Sequence, residues 1–227
     1  MERKRSYQQH CGVARSLDVL GERWTLLILR DLLLGPRRYG ELLGSLEGIT
    51  TNLLAKRLRE MTQAGLVEKR AAGAPASGEV YALTEAGRAV EPVLMELGRF
   101  GGRFLEHPRR GDRRDIGWAL LSLKRRYMGG IVAVVEIVSG ERRFELSFTR
   151  ERLTIEERAS DRATVRLAAA GQGPLFELFF GGVPCAALER KGIVAVEGDR
   201  PTLGVVLAAL GASSRGPSRV DAGTEVR

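Results

Sequence analysis

Residues 23–36 read RWTLLILRDLLLGP, and no other stretch restricts the fold as much. At about 100° per residue, segment 24–34 carries apolar side chains on nearly every meridian, leaves no face for water, and so has to sit at the centre of a core. Gly35 and Pro36 end it. Such a helix needs neighbours. Upstream, CGVARSLDVL at 11–20 places Val13, Leu17 and Leu20 at helical spacing and stops at Gly21. Downstream, RRYGELLGSL reads as a short helix with Tyr39, Leu42, Leu43 and Leu46 facing inward.

The next segment, ITTNLLAKRLREMTQ at 49–63, is amphipathic in a different way. Leu54, Leu58 and Met61 form one apolar stripe, while Asn52, Lys56, Arg59 and Gln63 gather on the opposite side. Thr50 is the expected N-cap and Gly65 the stop. The polar side is either solvated surface or a surface that reads another molecule. Two short strand-like runs follow, LVEKRAA and EVYALT, joined by GAPASG, a hairpin with a flexible tip. From Thr84 as its expected cap, a helix is expected over 84–106, with Val90, Val93, Leu94, Leu97, Phe100 and Phe104 on one face and a kink or bend at Pro92.

Three helices, an amphipathic fourth, a hairpin and a further helix form the layout of a winged helix-turn-helix domain. A helix of about 10–12 Å diameter fits the major groove, and the hairpin touches the backbone beside it. The residues HCGVARSLDVLGERW, LLGPRRYGEL, ITTNLLAKRL, AGLVEKR and YALTEAGR resemble the HxlR-type transcriptional regulators, a MarR-like winged-helix family, over about 10–106. Departures from the family pattern are Gly40, Thr50 and the uncharged AAGAPASG of the hairpin. The resemblance implies a homodimeric regulator that binds double-stranded DNA, with the 84–106 helix pairing with the first helix across the dimer. Packing of that helix on the second half of the chain is the alternative.

Candidate groove residues are Thr50, Thr51, Asn52, Lys56, Arg59 and Gln63. Asn pairs bidentately with adenine and Arg with guanine, and Lys meets phosphate or guanine. Arg37 and Arg38 before the third helix, and Lys69 and Arg70 at the base of the hairpin, are candidate phosphate contacts. Arg57, at the edge of the apolar stripe, has a structural alternative. Cys11 stands at a helix N-terminus with Arg15 one turn on, and both features would acidify a thiol. Some members of the family sense oxidants through a cysteine at this place; the other reading is a partly buried structural cysteine. Cys185 reads as core.

HPRRGDRRD lacks periodicity and contains Pro and Gly, which places a linker at 108–116 between domains 1–107 and 117–210. Past it come a helix (IGWALLSLKRRYMGG), strands (IVAVVEIV, RFELSFT, RLTIEE, ATVRLAA), a short aromatic helix (GPLFELFFGG), a strand (GIVAVEG) and a closing helix with Pro201 in its first turn. The fold class is α+β. RFELSFT, ATVRL, GPLFELFFGG and KGIVAVEGDRPTLGVVLAAL resemble the sterol-carrier-protein (SCP2-like) fold, whose members often enclose an apolar tunnel. Leu175, Phe176, Phe179 and Phe180 would line such a tunnel for a small hydrophobic ligand, or else form an aromatic core. The composition of 211–227 is that of a disordered tail.

Composition narrows the function class. A net charge of +8 suits a polyanionic partner, although the excess is shared along the chain. Two distant cysteines and two histidines support neither a disulfide nor a metal site. Phosphate-loop, nucleophile-elbow and zinc-hydrolase motifs are absent from the sequence, so neither catalysis nor a cofactor is expected. No apolar run reaches the ~18 residues of a membrane span, and the basic N-terminus lacks a secretory apolar region, which makes the cytoplasm the expected compartment. The rival to a DNA-binding regulator is a lipid carrier that uses its winged helix for protein contacts.

Overall fold

The apolar run at 24–34 enters a core on one side, while Leu27 is 40% exposed, so the helix does meet water, in a computed structural model that describes residues 6–73, 77–105 and 110–212. The chain divides into two units, Met1–Arg109 and Arg110–Arg227. The first contains α1 (Gly12–Leu20), α2 (Thr25–Leu32), α3 (Tyr39–Ser45), α4 (Thr51–Gln63), a hairpin of β1 (Val67–Ala71) and β2 (Glu79–Leu83), α5 (Glu85–Arg88) and α6 (Glu91–Gly101). Ile28, Leu29 and Leu32 of α2 are fully buried against Leu42 and Leu46 of α3, Leu54, Leu58 and Met61 of α4, and Leu66, Val67, Leu83 and Val90 beyond them. Each such side chain stabilises the fold by roughly 1.5–3 kcal/mol through burial. Trp24, just before α2, holds a left-handed φ of 81°; the indole packs on this core, which offsets the backbone cost of about 1–2 kcal/mol.

α4 is bounded as its sequence demands. The Thr50 hydroxyl accepts from the Leu53 N–H at 3.3 Å. At the other end Gly65, at φ 72°, lets the Gly65 N–H reach Thr62 O (3.0 Å) and the Leu66 N–H reach Met61 O (2.9 Å), a Schellman closure that a Cβ would strain.

The continuous helix expected over 84–106 is two helices. α5 stops at Arg88 and α6 begins at Glu91, with Pro92 in its first turn. Proline has no N–H to give to Arg88 O, so the chain restarts a helix there, where a first-turn proline costs nothing, instead of bending through one. A 3-10 turn over Gly102–Phe104 follows. The hairpin tip at 74–76, the end of that helix at 106, residue 107 closing the first domain, residues 108 and 109 of the linker, and the tail from 213 onward lie outside the described residues.

The second unit contains α7 (Ile116–Leu123), β3 (Ala133–Ser139), β4 (Arg142–Phe148), β5 (Leu153–Glu156), β6 (Val165–Ala169), α8 (Gln172–Phe179), α9 (Cys185–Arg190), β7 (Val194–Gly198) and α10 (Arg200–Ala209). The sheet order is β5-β4-β3-β6-β7; β3 and β6 run parallel and the other pairs antiparallel. Strand alternation sends Val135, Ile137, Phe144, Leu146, Phe148, Ile155 and Leu167 into a core shared with Leu120, Leu175 and Leu207 from the helices. The opposite face carries Glu136, Arg143, Glu145, Ser147 and Arg166. The β5–β6 connection crosses that face: Ser160 Oγ donates to Glu145 at 2.6 Å and the Ser160 N–H to Glu136 at 3.1 Å. α9 has no counterpart in the sequence reading, since six residues are too short to show a period.

Candidate nucleic-acid interface

The orientation of α4 is fixed by contacts at its start and its middle. Near its start, the Tyr39 hydroxyl of α3 donates to Thr51 O at 2.6 Å. Midway, Arg57 is buried, donating to Glu22 at 2.6 Å and pairing with Glu60. Arg57 therefore ties α4 to the turn before α2 and is unavailable to a ligand. Leu54, Leu58 and Met61 are buried, whereas Thr50, Thr51, Asn52, Arg59 and Gln63 are exposed and Lys56 is half-buried. With a rise of about 1.5 Å per residue, Asn52 to Gln63 spans ~16 Å, enough to cover several base pairs along a groove.

The remaining cations are more engaged than the sequence suggested. Arg37 is half-buried, and its backbone bridges Tyr81 of β2 in both directions, N–H to O at 2.9 Å and O to N–H at 2.8 Å. The exposed Arg38 donates its backbone N–H to Glu41 at 2.7 Å, fixing the first turn of α3, and its guanidinium to Ser77 O, also at 2.7 Å. Lys69 pairs with Glu79 at 2.5 Å, and the hydrogen bond to that carboxylate holds its pKa above the usual lysine range. Arg70 lies 4.0 Å from Glu68. The hairpin base therefore presents neutralised pairs. Tyr39, which seats the start of α4, was legible in sequence only as an inward-facing aromatic.

Two apolar stripes are uncovered. α1 exposes Val13 and Leu17, and α6 exposes Val93, Leu97 and Phe100, with Phe104 just beyond it. Phe100 and Phe104 meet edge-to-face, their centroids 5.4 Å apart. The face expected on the 84–106 helix thus splits: Val90 is buried and Leu94 packs on the core, while the other four side chains face out.

Cys11 is the N-cap of α1 and is exposed, which corrects the reading of a partly buried structural cysteine. The backbone N–H groups of Ala14 and Val13 draw its thiol pKa down. Arg15 instead pairs with Asp18, at 3.6 Å. Cys185 is buried, and burial pushes its thiol up to about 11. The four candidate pocket residues of α8 and its end divide between two environments. Leu175 and Phe179 are core, whereas Phe176 is half-buried and Phe180 exposed, under the Arg126 guanidinium at 4.9 Å. Helical spacing of four pairs 175 with 179 and 176 with 180, and so sends the pairs to different faces. Among the described residues no cluster of three or more His, Cys, Asp or Glu is arranged to hold a metal ion, and no helix is long and apolar enough to cross a membrane.

The family model for the HxlR-like helix-turn-helix matches residues 19–109, which include α2 through α6. The uncharacterised HTH-type transcriptional regulator sll1512 of Synechocystis is 34% identical over 96 residues, covering 42% of this chain and 71% of that protein. The chain belongs to the HxlR family. Rv3095, an uncharacterised HTH-type transcriptional regulator of Mycobacterium tuberculosis, is 40% identical over 97 residues, 43% of this chain. The HxlR chain spans 61% of the length of that relative. Among solved structures, the reduced form of the transcriptional regulator YodB of Bacillus subtilis is 32% identical, covers 46% of the HxlR chain and 100% of its own, and has a TM-score of 0.38; YodB has also been solved with a quinone bound.

Proposed function

We propose that this HxlR-family chain is a DNA-binding transcriptional regulator that acts as a homodimer, with α4 of each copy in a major groove. The observation that carries the reading is α4 itself: Asn52, Arg59 and Gln63 are exposed on one side of a helix whose other side is buried and whose start and middle are tied down by Tyr39 and Arg57. Selection of bound fragments from a random duplex pool should return a shared sequence, and Asn52→Ala and Arg59→Ala should each weaken its binding by about 1–3 kcal/mol while relaxing preference at one base pair. Recovery of no common sequence, or unchanged affinity in both variants, refutes the assignment.

The uncovered stripes of α1 and α6 support the dimer, because contiguous exposed apolar groups of this kind mark contact surfaces. Two copies joined there would present their α4 helices about one duplex turn apart, ~34 Å, and favour palindromic sites. Phe100→Glu places a charge in that contact. Light scattering should then shift toward the single-chain mass of 24.8 kDa, with loss of tight duplex binding; an unchanged mass would reject this dimer surface.

For the second unit we propose an SCP2-like module that senses a small apolar ligand or assists assembly. The supporting features are a five-stranded sheet with an apolar helix-facing side, and the EGD segment at the end of β7. There Gly198 passes Thr164 O so closely that a Cβ would lie 2.1 Å away, and Asp199 caps α10 by accepting from the Thr202 N–H at 3.2 Å. A ligand shifts DNA affinity only if it binds two dimer states unequally. Competition with RNA polymerase at a promoter is the proposed mode of action.

An exposed, acidified Cys11 suits redox control. Oxidant should lower duplex affinity of the native chain and leave Cys11→Ser unaffected; equal responses remove Cys11 as the sensor.

A further inference from the structure

The base of the hairpin is seated in the core by Val67 and Leu83, and beyond it the Arg37–Tyr81 bridge adds two backbone hydrogen bonds at one level of β2. Nearer the tip, the tilt of the ribbon depends on what else holds it. One such attachment is a side chain. From the first position before α3, Arg38 extends along the hairpin and its guanidinium donates to Ser77 O at 2.7 Å, four residues further toward the tip. At no more than about 3.4 Å per residue, the two attachments are up to ~14 Å apart along the chain. Two separated points fix an angle that one cannot. The Arg38 backbone N–H is meanwhile held by Glu41 at 2.7 Å, so the brace starts from the fixed first turn of α3.

We propose that Arg38 is a positioning residue that sets the angle of the hairpin relative to α4, and is not a phosphate contact; its relevance to DNA rests on the function proposed above. The sequence of the hairpin turn strengthens the distinction. Residues 71–78, AAGAPASG, carry no charge, so this stretch offers a duplex no cation, only its shape, its backbone donors and the Ser77 hydroxyl. Loosening it would weaken binding without changing how many counterions the duplex releases. Losing a phosphate contact would change that number, lowering the slope of log K against log salt by about 0.9.

Two measurements on the full chain test this with Arg38→Ala and, as a second variant, Arg38→Gln, which removes the charge and is too short to span to Ser77. In the free protein, the Ala72 N–H, which donates to Gly78 O at 2.8 Å and closes the hairpin, should exchange with solvent about tenfold faster, as expected for loss of one charge-assisted hydrogen bond. With the duplex recovered by selection on the native chain, affinity should fall several-fold at an unchanged salt slope. Unaltered exchange at Ala72 in both variants overturns the proposal. So does a slope reduced by about 0.9, which would make Arg38 a phosphate contact. If the native chain selects no duplex, the DNA-binding reading fails by itself, and the exchange measurement still decides whether Arg38 braces the hairpin.

Discussion

Replacing Gly87 with alanine is expected to destabilise the first unit by about 3 kcal/mol or more, although the same change inside a helix normally stabilises by up to ~1 kcal/mol. Gly87 lies in α5 where the helix crosses the chain leaving α4. A Cβ built there meets Leu66 O at 2.1 Å, the Leu66 carbonyl carbon at 3.1 Å and Leu83 Cδ2 at 3.2 Å. The oxygen has no freedom to retreat. It accepts from the Thr84 N–H at 3.1 Å, and the Leu66 N–H is bound to Met61 O at 2.9 Å in the closure of α4. Relief would require α5 to lift away, breaking the cap in which the Thr84 hydroxyl accepts from the Gly87 N–H at 3.1 Å and donates to Gly65 O at 2.5 Å. Calorimetry should show the transition of the first unit lowered by about 10 °C or more, at ~4–8 °C per kcal/mol for a domain of this size. A melting temperature equal to or above that of the native chain would mean that α5 does not lie against Leu66. The glycine in YALTEAGR thus marks a close approach of two backbone segments, independent of any role in DNA reading.

The second large effect concerns Glu145, a carboxylate only 1% exposed on the charged face of the sheet. Burial alone would push its pKa up. Hydrogen bonds from Ser160, Arg162 and Ser147, with the charge of Arg158, outweigh that and hold it below the ordinary glutamate value. A carboxylate depressed on folding contributes stability that is present above its unfolded pKa, near 4.5, and lost as pH falls through the lower folded value. The native chain should therefore lose stability as the medium is acidified below about pH 5. Glu145→Gln should be less stable at neutral pH by about 2–3 kcal/mol, less than for a fully buried pair because Arg158 and Arg162 are partly solvated. It should also show a shallower acid slope. The slope does not vanish, because Glu189 and Asp199 are depressed as well, chiefly by hydrogen bonds from Arg200 and Thr202. Denaturant titrations at pH 7 and pH 4 measure both quantities, and identical slopes in the two proteins would show that Glu145 is not held by these arginines. The same variant should free the β5–β6 connection, seen as faster tryptic cleavage after Arg158 and Arg162.

Much of the fold was legible because helices and strands write their periods into the chain. The apolar stripe of α4, its Thr50 cap and Gly65 stop, and the alternation of Phe144, Leu146 and Phe148 each rest on neighbours within a few residues. Of the candidate interface, the exposed side of α4 was equally legible. The fate of the flanking cations was not. Arg38 reaches a carbonyl 39 positions away and Arg57 a carboxylate 35 positions away, and no local pattern distinguishes an arginine so engaged from one facing solvent. The split of Phe176 from Phe179 was readable from helical spacing, but which pair faced the core depended on what lay across from it.

By itself, then, the sequence determined the element order, the two-faced α4 and the family, since these follow from periodicity, caps and motif residues. Only the tertiary structure decided that Gly87 lies against Leu66, that the stripes of α1 and α6 are exposed, and that Glu145 is buried beneath its arginines. The physical reason is range: propensity and amphipathicity are set by bonds along the chain, whereas burial, charge pairing and close backbone approach are set by whichever distant segment packs alongside.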